Sequence, residues 1–200
     1  MTTPVPSLRA YLDRRPDALS RGPLAVILIE DAKAIPETLS HHAALGFPHI
    51  LALSPEPIDV PAPLQPRVSN AIWDTRQPDA HQAALDQINA AVPVGTWLYY
   101  CYNAEFLFFP FSETRSVGEL LTFHAEERRS SMLAYVIDLY APDLATCPDA
   151  VCLEDAMFDA TGYFALGRRG RDGKPLERQL DFHGGLRWRF EEHLPQDRRR

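Results

Sequence analysis

Cysteine is scarce in this chain: three residues, Cys101, Cys147 and Cys152, among 200. That excludes a disulfide-framed fold. Cys147 and Cys152 lie five apart, which is not the C-x-x-C spacing of zinc sites, and the plain expectation is small apolar fillers in a reducing cytosol. Long apolar runs are missing too. None approaches the ~20 residues that span a bilayer, and the segment Met1 to Arg15 is polar and proline-containing, without the apolar core of a signal peptide. The sequence therefore reads as a soluble, cytoplasmic protein with no transmembrane segment, with surface attachment to a membrane or a membrane partner left open. Nor is there an excess of positive charge: 20 Lys and Arg against 27 Asp and Glu give a net charge of -7, which repels nucleic acid and anionic membranes. The arginines from 168 onward are interleaved with acids. No internal repeat is present.

What the chain does have is the composition of an ordinary globular protein, 46% hydrophobic and 24% charged, and length for one domain with a real core. Leu24 to Ile29 is a continuous apolar run, β-branched at Val26, Ile27 and Ile29, the signature of a strand buried on both faces. A helix is expected from about Ile35, with Pro36 in its first turn. Ile35, Leu39, His42 and Ala43 form one face of it, and Gly46 stops it. His49 to Leu53 is a second strand, completing a right-handed strand–helix–strand unit. Residues 54 to 66 hold five prolines and form a loop. Val68 to Trp73 is a third strand.

Asp79 and Gln82 suggest a capping box opening a helix whose stripe is Ala84, Leu85, Ile88, Ala91 and Val92. Thr96 to Tyr102 is a fourth strand. Ser116 and Glu119 form another capping box, with Val117, Leu120, Leu121 and Ala125 as the apolar face. Ala134 to Tyr140 (A-Y-V-I-D-L-Y) is a fifth strand, and beyond 141 the signal is mixed. The alternation predicts a three-layer α/β domain with a mostly parallel sheet. It is bounded by an arm over 1–23 and a basic tail over 191–200, leaving 24–190 as the domain.

The polar step Asn103-Ala104-Glu105 ends the fourth strand. On an extended backbone, residues i and i+2 face the same way, so Asn103 and Glu105 can meet one ligand together. Two oxygen-bearing groups at that spacing suit a hard divalent cation or a sugar hydroxyl. A polar turn closing a strand accounts for the same residues.

Trp97, Glu105, Phe106 and Leu107 resemble the strand end W-x-x-x-x-D-x-D-E-F-L of family-2-like glycosyltransferases of the GT-A fold. His42, Leu45, Gly46, Phe47 and Ile50 match the opening of the same family. The resemblance implies a nucleotide-diphosphate sugar as donor and a glycan or other hydroxyl acceptor. It implies Mn or Mg held at Asn103, Glu105 and a C-terminal histidine, His183. It places Glu30, Asp31, Ser54 and Trp73 around the donor. The family's D-x-D aspartates are absent here, where the polar pair reads Asn103 and Glu105, and its D-N-x-S-x-D turn is Ser54-Pro55-Glu56-Pro57. These two departures bring in a second expectation, a non-catalytic glycosyltransferase-like binding module.

Leu153-Glu154-Asp155 falls where such enzymes carry the base that deprotonates the acceptor, and Asp159 competes for that role. An acidic surface turn explains both equally well. His183 sits in a stretch, Asp181 to Arg189, whose Gly184 and Gly185 let a backbone approach closely and which resembles a G-G-L-x-x-R segment of bacterial relatives. A turn histidine is the competing reading. Residues 169–174 read as a loop or hairpin, possible as a lid over the donor, and Glu126 to Arg129 as a solvated helix end.

Overall fold

The run Leu24–Leu28 (β1) lies at the centre of a four-stranded sheet and is buried along its whole length, as its unbroken apolar sequence requires. The computed structural model describes residues 4–14, 17–20 and 22–185, the side chains of 177–179, 181 and 183 excepted. The chain divides into two compact units, residues 1–130 and 131–200.

In the first unit a short helix α1 (Leu8–Asp13) precedes β1. Then follow α2 (Ile35–Ala44), β2 (His49–Ser54), β3 (Val68–Ile72), α3 (Ala80–Ala91), β4 (Leu98–Tyr102) and α4 (Val117–Glu126). The sheet order is β3-β2-β1-β4 and every pairing is parallel. Alternate residues of β1 point to opposite layers. Ala25 and Ile27 join Leu39 and Ala43 of α2 and Val117 of α4. Leu24 and Val26 join Leu8 and Leu12 of α1 and Ala84 and Ile88 of α3. The first unit is thus an α/β, Rossmann-like three-layer arrangement.

Helix α2 begins with Pro36 in its first turn. The capping box of Ser116 and Glu119 is formed in full. The one expected at Asp79 is not: Asp79 has φ 57 and its side chain makes no cap bond. A capping side chain reaches the N2 or N3 amide from an extended N-cap, and the left-handed backbone at Asp79 denies it that approach. Ala91, expected in the stripe of α3, and Ala125, expected on the face of α4, are both exposed. The inward position near the end of α4 belongs to His124.

The expected strand over Ala134–Tyr140 is absent. Within that segment only Tyr140 makes a bridge, antiparallel to Met157, with Tyr140 N–H donating to Met157 O and Met157 N–H to Tyr140 O, both at 2.9 Å. β-Branched and aromatic residues give a segment strand propensity; a strand needs the hydrogen bonds of a neighbouring ladder as well. Among the described residues, the second unit's regular structure is a hairpin of β5 (Phe164–Arg169) and β6 (Pro175–His183), paired antiparallel. Residues 170–174 form its turn, closed by Gly170 N–H to Lys174 O at 2.9 Å, with Gly173 at φ 76.

Candidate functional site

A parallel sheet ordered β3-β2-β1-β4 changes direction between β1 and β4: successive connections move outward to β3, then the next returns across the sheet to the far side of β1. The loops leaving the carboxyl ends of two strands that part in opposite directions leave a crevice, the place where open α/β sheets bind ligands. Here the loop after β1 carries Glu30, Asp31 and Lys33, and the loop after β4 carries Asn103 and Glu105. The loop after β3 joins them: Arg76 Nε donates to Glu30 O at 3.1 Å and Thr75 Oγ1 donates to Ile29 O at 2.6 Å.

Asn103 ties the two central loops. Its Oδ1 accepts the Glu30 amide at 2.9 Å. Its Nδ2 donates to Asp31 Oδ1 at 2.7 Å and to Lys33 O at 3.0 Å. The orientation of the amide is fixed by its partners, because a flip sets nitrogen against an N–H and oxygen against two oxygens. Asp31 Oδ1 also accepts the Lys33 amide at 2.8 Å.

Asn103 and Glu105 do not face one ligand together. The backbone turns at Ala104, which has φ 61, so the extended geometry behind that expectation is lost. Glu105 folds back instead, and its Oε2 accepts the Tyr102 amide at 2.8 Å. The turn is held from below: Ala104 N–H donates to Thr38 Oγ1 at 2.9 Å, and that hydroxyl donates to Ala34 O at 2.6 Å.

Ser54 and Trp73 meet at the ends of β2 and β3, where Trp73 N–H donates to Ser54 O at 2.8 Å. The Ser54 side chain is buried; its hydroxyl donates to Glu56 O at 2.6 Å and accepts Asn70 Nδ2 at 2.7 Å. The indole of Trp73 donates to Ala80 O at 3.1 Å. Both side chains pin loops. Asp74 binds Gln77 Nε2 at 2.7 Å and the Arg76 amide at 3.2 Å, and the Gln77 bond, then the Arg76 amide, holds its carboxyl below the usual range.

In the second unit Asp155 is exposed. Asp159 is half-buried and its Oδ1 accepts Tyr140 Oη at 3.4 Å. The His183 backbone pairs with Phe164; its side chain, and all of 186–200, lie outside the described residues. Gly184 serves a close approach to this chain's own backbone, and Gly185 one to the Tyr163 side chain. A Cβ at Gly184 would stand 2.6 Å from Gly162 O and 2.7 Å from Tyr163 Cα.

For a divalent ion the donor set at Asn103 is a poor fit. The amide oxygen already receives the Glu30 N–H, and the group turned toward Asp31 is a hydrogen-bond donor. Among the described residues no three His, Cys, Asp or Glu side chains gather to hold a metal ion. Also among them, no helix is long and apolar enough to cross a membrane.

Behind the crevice, Cys101 and His42 face each other across the core, Sγ to Nε2 at 3.8 Å. Burial pushes the Cys101 thiol up to about 12, which leaves it protonated and unreactive at neutral pH. Arg76 and Thr75 had no signal in the sequence; topology alone brings the loop after β3 to the crevice. No family model, curated protein or solved structure matches the chain.

Proposed function

We propose that this chain is a GT-A-like, glycosyltransferase-type protein whose first unit binds a nucleotide-diphosphate sugar in the crevice between β1 and β4. One observation carries the reading: polar loops from β1, β3 and β4 converge at the carboxyl edge of a parallel sheet, where its direction reverses. Hydroxyl-rich ligands suit such a rim. Glu30 and Asp31 offer carboxylate oxygens to sugar or ribose hydroxyls, and Arg76 is the guanidinium at hand for a phosphate. In the transferase form of the proposal the sugar passes to an acceptor hydroxyl, which gives up its proton to a general base, and the nucleoside diphosphate leaves.

A second reading, binding without turnover, is favoured by the engagement of Asn103 with the neighbouring loop. Both forms are tested by melting the purified chain against a panel of nucleotides and nucleotide sugars, followed by an assay of donor consumption. Ligand at 100 times its Kd stabilises by ~2.7 kcal/mol, on the order of 5–10 °C for a chain of this size. A shift with one nucleotide family and consumption of the donor supports transfer. A shift without consumption supports the binding module. No shift with any nucleotide refutes the donor reading.

A further inference from the structure

Two oxygen atoms from the loop after β1 converge on a single atom of the loop after β4. Asp31 Oδ1 stands 2.7 Å and Lys33 O 3.0 Å from Asn103 Nδ2. A carboxylate and a backbone carbonyl turned toward one point are the ligands that calcium or magnesium takes in proteins. Here the point is filled by the NH₂ of an amide, which carries partial positive charge and two hydrogens, one for each oxygen. On the other side the amide's oxygen receives the Glu30 N–H at 2.9 Å. Glu30 is in turn fixed through its carbonyl by Arg76. One neutral side chain thus satisfies a carboxylate, a carbonyl and an N–H that belong to a different loop.

We propose that the Asn103 amide substitutes for a loop-bridging divalent cation, so that the crevice is assembled without metal. The inference stands on the loop geometry and holds whether or not the crevice takes a nucleotide sugar. It makes Asn103 a positioning residue: the loop after β1 keeps its shape because the amide donates to Asp31 and to the Lys33 carbonyl. It also states what a single change does. Asn103→Asp exchanges the NH₂ for an oxygen, removes both donated bonds and sets a second carboxylate against Asp31. Three oxygens then surround a point that only a cation satisfies.

The test uses the full chain in metal-free buffer, without nucleotide, so that its failure is separate from failure of the donor reading. Melting temperatures are read in EDTA, in millimolar Mn and in millimolar Ca. Wild type is expected to melt at one temperature in all three. Asn103→Asp is expected to melt several degrees lower in EDTA and to recover with Mn or Ca. Such recovery corresponds to a weak site with Kd on the order of 10⁻⁴–10⁻³ M, as the small number of carboxylates implies. The double variant Asp31→Asn, Asn103→Asp restores one amide facing one carboxylate, with their places exchanged. With the Lys33 carbonyl still facing a carboxylate oxygen, it is expected to regain part of the lost stability in EDTA and to lose the metal response.

Three results overturn the proposal. One is a Mn-induced shift of the wild type that Asn103→Ala abolishes. Another is an Asn103→Asp variant as stable in EDTA as wild type. The third is a destabilised Asn103→Asp variant that no cation rescues. If that variant fails to fold even with cation, the double variant decides: a folded, metal-indifferent double variant upholds the clasp, and an unfolded one refutes it.

Discussion

Acid should weaken this fold well above the pH at which carboxylates protonate, and two buried histidines set the size of the effect. His42 is 0% exposed and His49 8%. Burial holds both down to about 4, from an ordinary 6.5. His42 Nδ1–H donates to Thr38 O at 2.8 Å, and the Tyr11 hydroxyl lies 3.0 Å from His49 Nε2. A histidine with a lowered folded pKa charges first in the unfolded chain. Between pH 6.5 and 4 the unfolded state binds more protons, so stability falls as pH falls through that window and is unaffected above it.

At ~1.36 kcal/mol per unit, each site loses ~3 kcal/mol once the pH is below 4. At pH 5 each has lost about 2 kcal/mol relative to pH 7.5. Together that is ~4 kcal/mol from a stability typically of 5–15 kcal/mol. Urea midpoints of wild type at pH 7.5, 6 and 5 measure the fall. His42→Gln and His49→Gln are expected to be less stable at pH 7.5 and to show about half the wild-type slope each, with the urea m-value unchanged. A wild-type midpoint that stays constant from pH 7.5 to 5 refutes the reasoning.

Two further outcomes follow from single contacts. Ser116→Ala breaks a capping box in which the Glu119 amide donates to Ser116 Oγ at 3.3 Å and the Ser116 amide to Glu119 Oε2 at 2.8 Å; it should cost about 1 kcal/mol in urea denaturation, and an unchanged midpoint would count against the cap. In a thiol titration of the native protein Cys147 and Cys152, both partly exposed, should react with a soluble disulfide reagent, and buried Cys101 only after denaturant is added; three thiols reacting at once would show that the core around Cys101 opens freely.

The sheet was legible where burial on both faces leaves its mark. The apolar runs at 24–29 and 49–53 became β1 and β2, and the Ile35, Leu39, Ala43 spacing became the inner face of α2. Ala134 to Tyr140 is equally rich in β-branched and aromatic residues and forms no ladder, because pattern reports the propensity of a segment and is silent about its partner. The polar pair was found and its geometry missed. Asn103 and Glu105 share a face only on an extended chain, and the residue that breaks the extension is Ala104, an alanine at φ 61. Nothing in the letters A-E after an asparagine announces a left-handed residue, since alanine adopts it at a cost. Strand order was equally out of reach. The crevice exists because β4 lies beside β1 rather than beside β3, and that adjacency also brings Asn103 to Asp31.

What holds Ala104 in that conformation explains why α2 buries polar residues on its inner face. Thr38 and His42 are both 0% exposed. The Thr38 hydroxyl receives the Ala104 amide, and the Thr38 carbonyl receives His42 Nδ1–H. His42 rests on Tyr99 of β4, ring centroids 5.3 Å apart, and faces Cys101 of the same strand. A column of hydrogen bonds thus runs from the core, through His42 and Thr38, to the turn that presents Asn103. Buried polar chains of this kind are costly when left incomplete and rigidifying when satisfied. The column therefore fixes the loop after β4 from below while the Asn103 amide fixes it from the side. In the folded chain His42 stays neutral down to about pH 4, so the loss of stability between pH 6.5 and 4 is a property of the unfolding equilibrium and leaves the column of the folded chain in place.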